Sequence, residues 1–149
     1  MKSSKIESIK ARTISNSKGK KTIEVQLKTA KGVFLSSVPS GTSKGKHEAV
    51  ELKTEVAINN LKKIITPALL GKDPTKQKEI DDLLIKLDGT ENKKNLGVNA
   101  ILAVSLAVLR AGARERNLPL FKYISQITGI RFKLPKPSIL LVEGGLHGK

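Results

Sequence analysis

Val98 to Ala113 is apolar nearly all round, broken only by Asn99, Ser105, Arg110 and Gly112. A helix of that character cannot leave a face in water, so other elements have to cover it on several sides. It is too short to cross a bilayer, which takes about 20 apolar residues, and no run of about 18 exists elsewhere. The segment therefore predicts the middle of a helical layer, and the rest of the chain has to supply its cover.

The first forty residues read as strands. Thr22-Ile-Glu-Val-Gln-Leu-Lys28 alternates strictly, with Ile23, Val25 and Leu27 on one face and Glu24, Gln26 and Lys28 on the other. Thr29-Ala-Lys-Gly32 supplies a turn, and Val33 to Val38 returns as a second strand. Ile6 to Thr13 is a weaker strand ahead of the turn-like Asn16-Ser-Lys-Gly19. Short connections make a three-stranded antiparallel meander the simplest arrangement. From residue 48 the period becomes helical. Ile58, Leu61, Ile65 and Leu69 share a face, with Pro67 disturbing the last turn. Asp73-Pro74 predicts a capped helix start before Ile80, Leu83, Leu84 and Leu87. Asn117-Leu-Pro119 opens a last short helix that Gly129 closes. Strands first and helices after, without βαβ alternation, indicate an α+β fold.

Leu134-Pro-Lys-Pro137 then reads as a linker, and Ser138-Ile-Leu-Leu-Val142 as a short apolar strand that expects cover on both faces. The expected organisation is one domain over residues 1–133, with residues 134–149 as a linker and the beginning of a second domain. At 149 residues the chain is too short for a closed (β/α)₈ barrel, which takes roughly 200–250. The absence of Cys excludes disulfides, thiolate metal sites and a Cys nucleophile. The N-terminus is basic without the apolar core of a signal peptide, which makes cytoplasm the expected compartment and a membrane not a partner.

The net charge of +15 invites a nucleic-acid reading, but its distribution argues against one. Residues 1–50 carry 11 basic and 3 acidic groups, 51–100 carry 9 and 8, and 101–149 carry 8 and 2. Twenty-three of the 28 cations are Lys, which lacks the bidentate fork of Arg, and three Phe and one Tyr offer little for stacking bases.

The loop Val38-Pro-Ser-Gly-Thr-Ser-Lys-Gly-Lys-His-Glu48 concentrates hydroxyls, glycines and lysines suited to an anion or a hydrated metal, with Gly41 and Gly45 giving it freedom to move. It is not a phosphate-binding P-loop: three residues separate Gly41 from Gly45, and His47 stands where Ser or Thr would bind magnesium. From composition alone a polar turn between a strand and a helix is the better explanation. His47 and His147 lie a hundred residues apart without a ligand pattern. His47-Glu48 reads as a cap and surface pair at a helix start, and Leu87-Asp-Gly-Thr-Glu-Asn-Lys93 as a polar turn.

Taken in order, these segments resemble the enolase family. Ala11-Arg12, Ser17-Lys-Gly19 and Thr22-Ile-Glu-Val25 are similar to its opening A-R-x-I-x-D-S-R-G-N-P-T-V-E-V. Val38-Pro-Ser-Gly-Thr-Ser-Lys-Gly-Lys-His-Glu-Ala49 resembles V-P-S-G-A-S-T-G-x-H-E-A. Leu87 to Lys93 and Leu96 to Ala107 resemble L-D-G-T-E-N-K and L-G-A-N-A-I-L-G-V-S-L-A. Asn117 to Ile124 is similar to G-L-P-L-Y-x-Y-I, and Glu143-Gly-Gly-Leu-His147 to N-G-G-x-H. Departures include Asn16 for Asp, Lys18 for Arg, Lys20-Lys21 for Asn-Pro, Lys44 for Thr and Glu143 for Asn.

The resemblance implies an enolase N-terminal α+β domain followed by the first strand of a truncated catalytic barrel. It implies the Mg²⁺-dependent glycolytic lyase reaction that interconverts 2-phosphoglycerate and phosphoenolpyruvate, in a homodimer. The acid, the base and the first metal's carboxylates fall beyond Lys149, so the chain alone is expected to be inactive. What carries over is Ser43 as a ligand of the second Mg²⁺, Ser40, Gly41, Thr42, Ser43, Lys44 and Gly45 as a mobile lid, His147 as a substrate contact, and Arg12 and Glu24 at the dimer interface. A competing reading is a stand-alone enolase-like interaction module whose basic surface binds an acidic partner or nucleic acid.

Overall fold

The strict alternation of the second strand buries Ile23, Val25 and Leu27 completely, each worth about 1.5–3 kcal/mol on leaving water. The computed structural model describes residues 4–39, 45–139 and 141. Its sheet comprises β1 (Ser8–Ser15), β2 (Lys21–Thr29) and β3 (Gly32–Ser37) in the order β1-β2-β3, all antiparallel. The register sets Ile9 against Leu27, Ala11 against Val25 and Arg12 against Glu24, and continues with Gln26 against Leu35 and Thr29 against Gly32. This is the expected meander. β1 is shifted toward the turn because Ile6 is engaged elsewhere: its N–H donates to Lys72 O (2.9 Å), and its carbonyl accepts from Gly71 N–H (2.9 Å). The Asn16 side-chain oxygen accepts N–H groups from Lys18 and Lys20, both at 2.9 Å, which closes the β1–β2 turn.

The helices follow as α1 (Thr54–Asn60), a π-helical turn (Leu61–Ile65), α2 (Thr66–Leu69), α3 (Gln77–Asp88), α4 (Val98–Glu115) and α5 (Leu120–Thr128). α4 packs on β2 and β3 and is also in contact with α1, α3 and α5, so the apolar helix lies at the centre of the molecule. Its inner face is built from small residues, with Ala100, Ala103, Ala107 and Ala111 fully buried. The four breaks in its apolar run all have partners or water. Asn99 grips Leu52, Ser105 accepts from Gln77 Nε2 (3.0 Å), and Arg110 faces solvent. Gly112 makes room for Tyr123 and the Pro74 carbonyl: a Cβ there would lie 2.5 Å from Tyr123 Oη and 2.8 Å from Pro74 O.

Two helix starts differ from the sequence expectation, and the disturbance expected at Pro67 takes a particular form. The segment after His47 is not helical until Thr54, because the backbones of Val50 and Leu52 are bonded to the 92–99 region. Asp73-Pro74 forms a turn rather than a cap. Asp73 Oδ1 accepts the Thr75 N–H (2.9 Å) and hydroxyl (2.8 Å), Lys76 N–H closes onto Asp73 O, and the helix begins at Gln77. Pro67 does not end the helix. It removes the N–H that an α-helix would offer to the Lys63 carbonyl and crowds that carbonyl, and the turn Leu61–Ile65 just before it is widened. Residues 129–139 follow α5 without regular secondary structure; of the expected strand Ser138–Val142, residues 138, 139 and 141 are described and are not in a strand, and Leu140 and Val142 lie outside the described residues.

Candidate functional site

The polar loop after β3 is held at both ends by buried groups. Upstream, Thr22 is buried on β2 and its hydroxyl donates to Val38 O at 2.6 Å. Downstream, Val50 N–H donates to Asn92 O (2.7 Å) and Val50 O accepts from Val98 N–H (2.9 Å) at the first turn of α4. Asn99 completes the clasp: its Nδ2 donates to Leu52 O (2.9 Å), and its Oδ1 accepts from Leu52 N–H (3.4 Å). Gly97 has φ +90° beside this clasp, and a Cβ there would stand 2.7 Å from Asn99 Oδ1 and 3.0 Å from Leu52 Cγ. Only glycine fits both the backbone and the space.

The 88–97 loop that carries Asn92 is organised by one buried carboxylate. Asp88, at the end of α3, is 2% exposed. Its Oδ2 accepts Leu96 N–H at 2.7 Å, and its Oδ1 accepts Thr90 N–H at 3.1 Å together with the Thr90 hydroxyl. The Asp88 carbonyl accepts Asn95 Nδ2 at 2.8 Å, and Lys94 N–H donates to Thr90 Oγ1 at 3.0 Å. Burial alone pushes the Asp88 carboxyl upward, but the donors from Leu96 and Thr90 together outweigh it and hold the group below the usual carboxylate value. The loop is thus a rigid bracket for the segment leading away from the polar loop.

Between the bracket and that segment lies an open polar cleft of about 390 Å³ lined by Lys46, His47, Glu48, Ala49, Glu91 and Asn92. Among the described residues no group of three His, Cys, Asp or Glu side chains is placed to hold a metal ion. His47 and Glu48 flank this cleft instead of starting a helix. Gly45 lies outside the left-handed region, and a Cβ there would make an ordinary 3.6 Å contact with Glu48 Cγ.

Of the residues picked from sequence, Ser40, Gly41, Thr42, Ser43, Lys44 and His147 lie outside the described residues. Arg12 and Glu24 are cross-strand neighbours on the outer face of the sheet, away from α4. Arg12 Nε donates to Glu24 Oε1 at 2.7 Å and Nη2 lies 2.6 Å from the same oxygen. They border an open cleft of about 360 Å³ with Lys10, Gln26 and Leu35. Sequence reasoning passed over Asp88, Asn92 and Asn99. The Asp-x-Thr spacing of Asp88 and Thr90 was the readable signal, since an Asp side chain often accepts from the backbone two residues on.

Residues 6–124 match the family profile described as enolase, N-terminal domain. The chain belongs to the enolase family. It is 46% identical to Enolase 1 of Entamoeba histolytica over 154 aligned positions, covering 95% of this chain and 35% of that protein. The enolases of Metamycoplasma arthritidis and Solanum lycopersicum are also 46% identical, with 97% and 95% of this chain covered. The chain spans about a third of the length of these enolases. The three-stranded meander with its helical layer is the N-terminal domain of the enolase fold.

Proposed function

We propose that this chain is the N-terminal part of a Mg²⁺-dependent phosphopyruvate hydratase, which reversibly dehydrates 2-phosphoglycerate to phosphoenolpyruvate. The observation that carries the reading is family membership over residues 6–124, joined to a polar loop whose two flanks are fixed by Thr22 and by the Asp88 bracket. A loop tied at both ends to a rigid scaffold suits a lid that swings over a neighbouring site. In this reading residues 40–45 are that lid, and residues 134–149 lead from the domain into a catalytic barrel.

Magnesium, when bound, neutralises the charge that builds up on the substrate as its α proton leaves. The described residues do not form a site for it. The reading therefore assigns this chain at most one ligand, Ser43, on the second of two ions, and His147 as a substrate contact. The acid and the base lie outside the chain, which alone is inactive. The outer face of the sheet serves as the homodimer interface, where Arg12 and Glu24 exchange their mutual ion pair for partners across it.

The test joins residues 1–149 to the unmatched two-thirds of the E. histolytica Enolase 1 and measures phosphoenolpyruvate formation against Mg²⁺ concentration. Ser43→Ala is expected to lower the rate at least about tenfold and to raise the Mg²⁺ requirement. An unchanged rate and Mg²⁺ profile would remove Ser43 from the metal site.

A further inference from the structure

The turn between β1 and β2 uses the side chain of Asn16 on one atom only. Its Oδ1 accepts the N–H groups of Lys18 and Lys20, both at 2.9 Å, whereas Nδ2 donates to no acceptor among the described residues. The backbone closes the same turn: Asn16 N–H donates to Lys20 O (2.8 Å), and Gly19 N–H, at φ +72°, donates to Asn16 O (3.0 Å). Between these bonds the N–H of Ser17 has no acceptor among the described residues. Ser17, Lys18, Gly19 and Lys20 are exposed, and Asn16 is partly so.

Such an arrangement suits attack on the side-chain amide. Two N–H donors converging on Oδ1 stabilise the negative charge that this oxygen gains as its carbon becomes tetrahedral. Lys18, Lys20 and Lys21 flank the turn with positive charge. The small Ser17 leaves its own nitrogen open to approach Asn16 Cγ, and Nδ2, the leaving group, is not held. Of the seven asparagines, only Asn16 and Asn99 precede Gly, Ala or Ser. Asn99 is 2% exposed and holds Leu52 with both polar atoms of its side chain, so it is closed to this chemistry.

We propose that Asn16 is a self-modifying site that deamidates to aspartate, with water as its co-reactant. The Ser17 nitrogen gives up its proton and bonds to Asn16 Cγ. The Cγ–Nδ2 bond breaks, and Nδ2 leaves with that proton as ammonia, closing a cyclic imide between residues 16 and 17. Water then adds at Cγ and breaks its bond to the Ser17 nitrogen, which takes a proton back. The net change is amide plus water to carboxylate plus ammonium. The Lys18 and Lys20 donors polarise Cγ, so the ring opens there in preference to the main-chain carbonyl, where opening would give isoaspartate. The new carboxylate keeps both N–H bonds, now charge-assisted and therefore stronger. The site stands independently of the enolase reading.

The purified chain is incubated folded and in guanidinium chloride at the same pH, and the proteolytic fragment carrying Asn16 is followed by mass spectrometry. Conversion is expected to run at least about fivefold faster in the folded chain than in the unfolded one. It should precede change at every other asparagine, quicken as pH rises, and release ammonia in step with the loss of Asn16. An isoaspartyl methyltransferase with its methyl donor should label only a minority of the product. Ser17→Pro removes the attacking N–H and suits the second position of the turn, so it should stop the conversion in a folded chain. Asn16→Asp should show no further mass change at residue 16 and should melt about 2–4 °C above freshly prepared wild type. Conversion no faster in the folded chain than in guanidinium, a comparison that needs no variant, would overturn the proposal. So would unaltered conversion in Ser17→Pro, or a product that is mainly isoaspartate.

Discussion

Replacing Asp88 with Asn keeps the shape of the side chain and removes its charge and one of its acceptors. The wild-type carboxylate serves two sides at once, with Oδ2 on Leu96 N–H and Oδ1 on the backbone and hydroxyl of Thr90. An amide has one oxygen and an NH₂ group, so one side must face donor against donor. If the oxygen keeps Thr90, the N–H of Leu96 is left unsatisfied at a residue that is itself buried. Such a loss costs about 1–3 kcal/mol, and losing the charge on the surviving bonds adds about 1 kcal/mol. The expected destabilisation is about 2–4 kcal/mol in urea unfolding, or a melting temperature lower by about 5–15 °C.

The sign of the pH dependence follows from the same bonds. The folded Asp88 carboxyl lies below its ordinary value, so its contribution is complete above the unfolded-state pKa and is lost as pH falls through the folded one. Wild-type stability should therefore decline with acid more steeply than that of Asp88→Asn, and the two curves should converge. Exchange of the Val50 amide, which is bonded to Asn92 O at 2.7 Å, should also quicken in the variant. A loss under about 0.5 kcal/mol with a parallel pH profile would refute the view that this carboxylate organises the bracket.

Gly112→Ala gains helix propensity of about 1 kcal/mol but drives a methyl into Tyr123 Oη and Pro74 O, so unfolding should show a net loss of about 1–3 kcal/mol. Ile65→Ala, at a fully buried side chain in the π-helical turn, should cost about 2–5 kcal/mol by the same measurement. Arg12→Ala should change the stability of the isolated chain by less than about 1 kcal/mol, because the Arg12 side chain is 72% exposed in its pair with Glu24. On the homodimer reading proposed above, the same substitution in the joined protein should weaken self-association measured by sedimentation.

The sheet was readable because β2 alternates without exception and its partners are reached through short turns. α4 was readable because a helix without a polar face has few places to go. The helix starts were less legible, for reasons that are tertiary. Asp73 fits a cap or a turn equally well until Thr75 claims its oxygen, and Pro67 breaks a helix unless the preceding turn can widen. His47 lies on a loop because Val50 and Leu52 are tied to residues more than forty positions away. The same distance hid the role of Asn99, which reads as a polar blemish in an apolar run and is instead the clasp on the segment after the loop. For Asp88 the motif was visible, but its burial and its bond to the Leu96 N–H were not.

The most direct measurement of the functional reading is phosphoenolpyruvate formation from 2-phosphoglycerate in Mg²⁺, run in parallel on the purified 149-residue chain and on the joined protein. Turnover is expected from the joined protein alone. Robust turnover by the 149-residue chain, or a folded joined protein that makes no phosphoenolpyruvate, would contradict the functional reading.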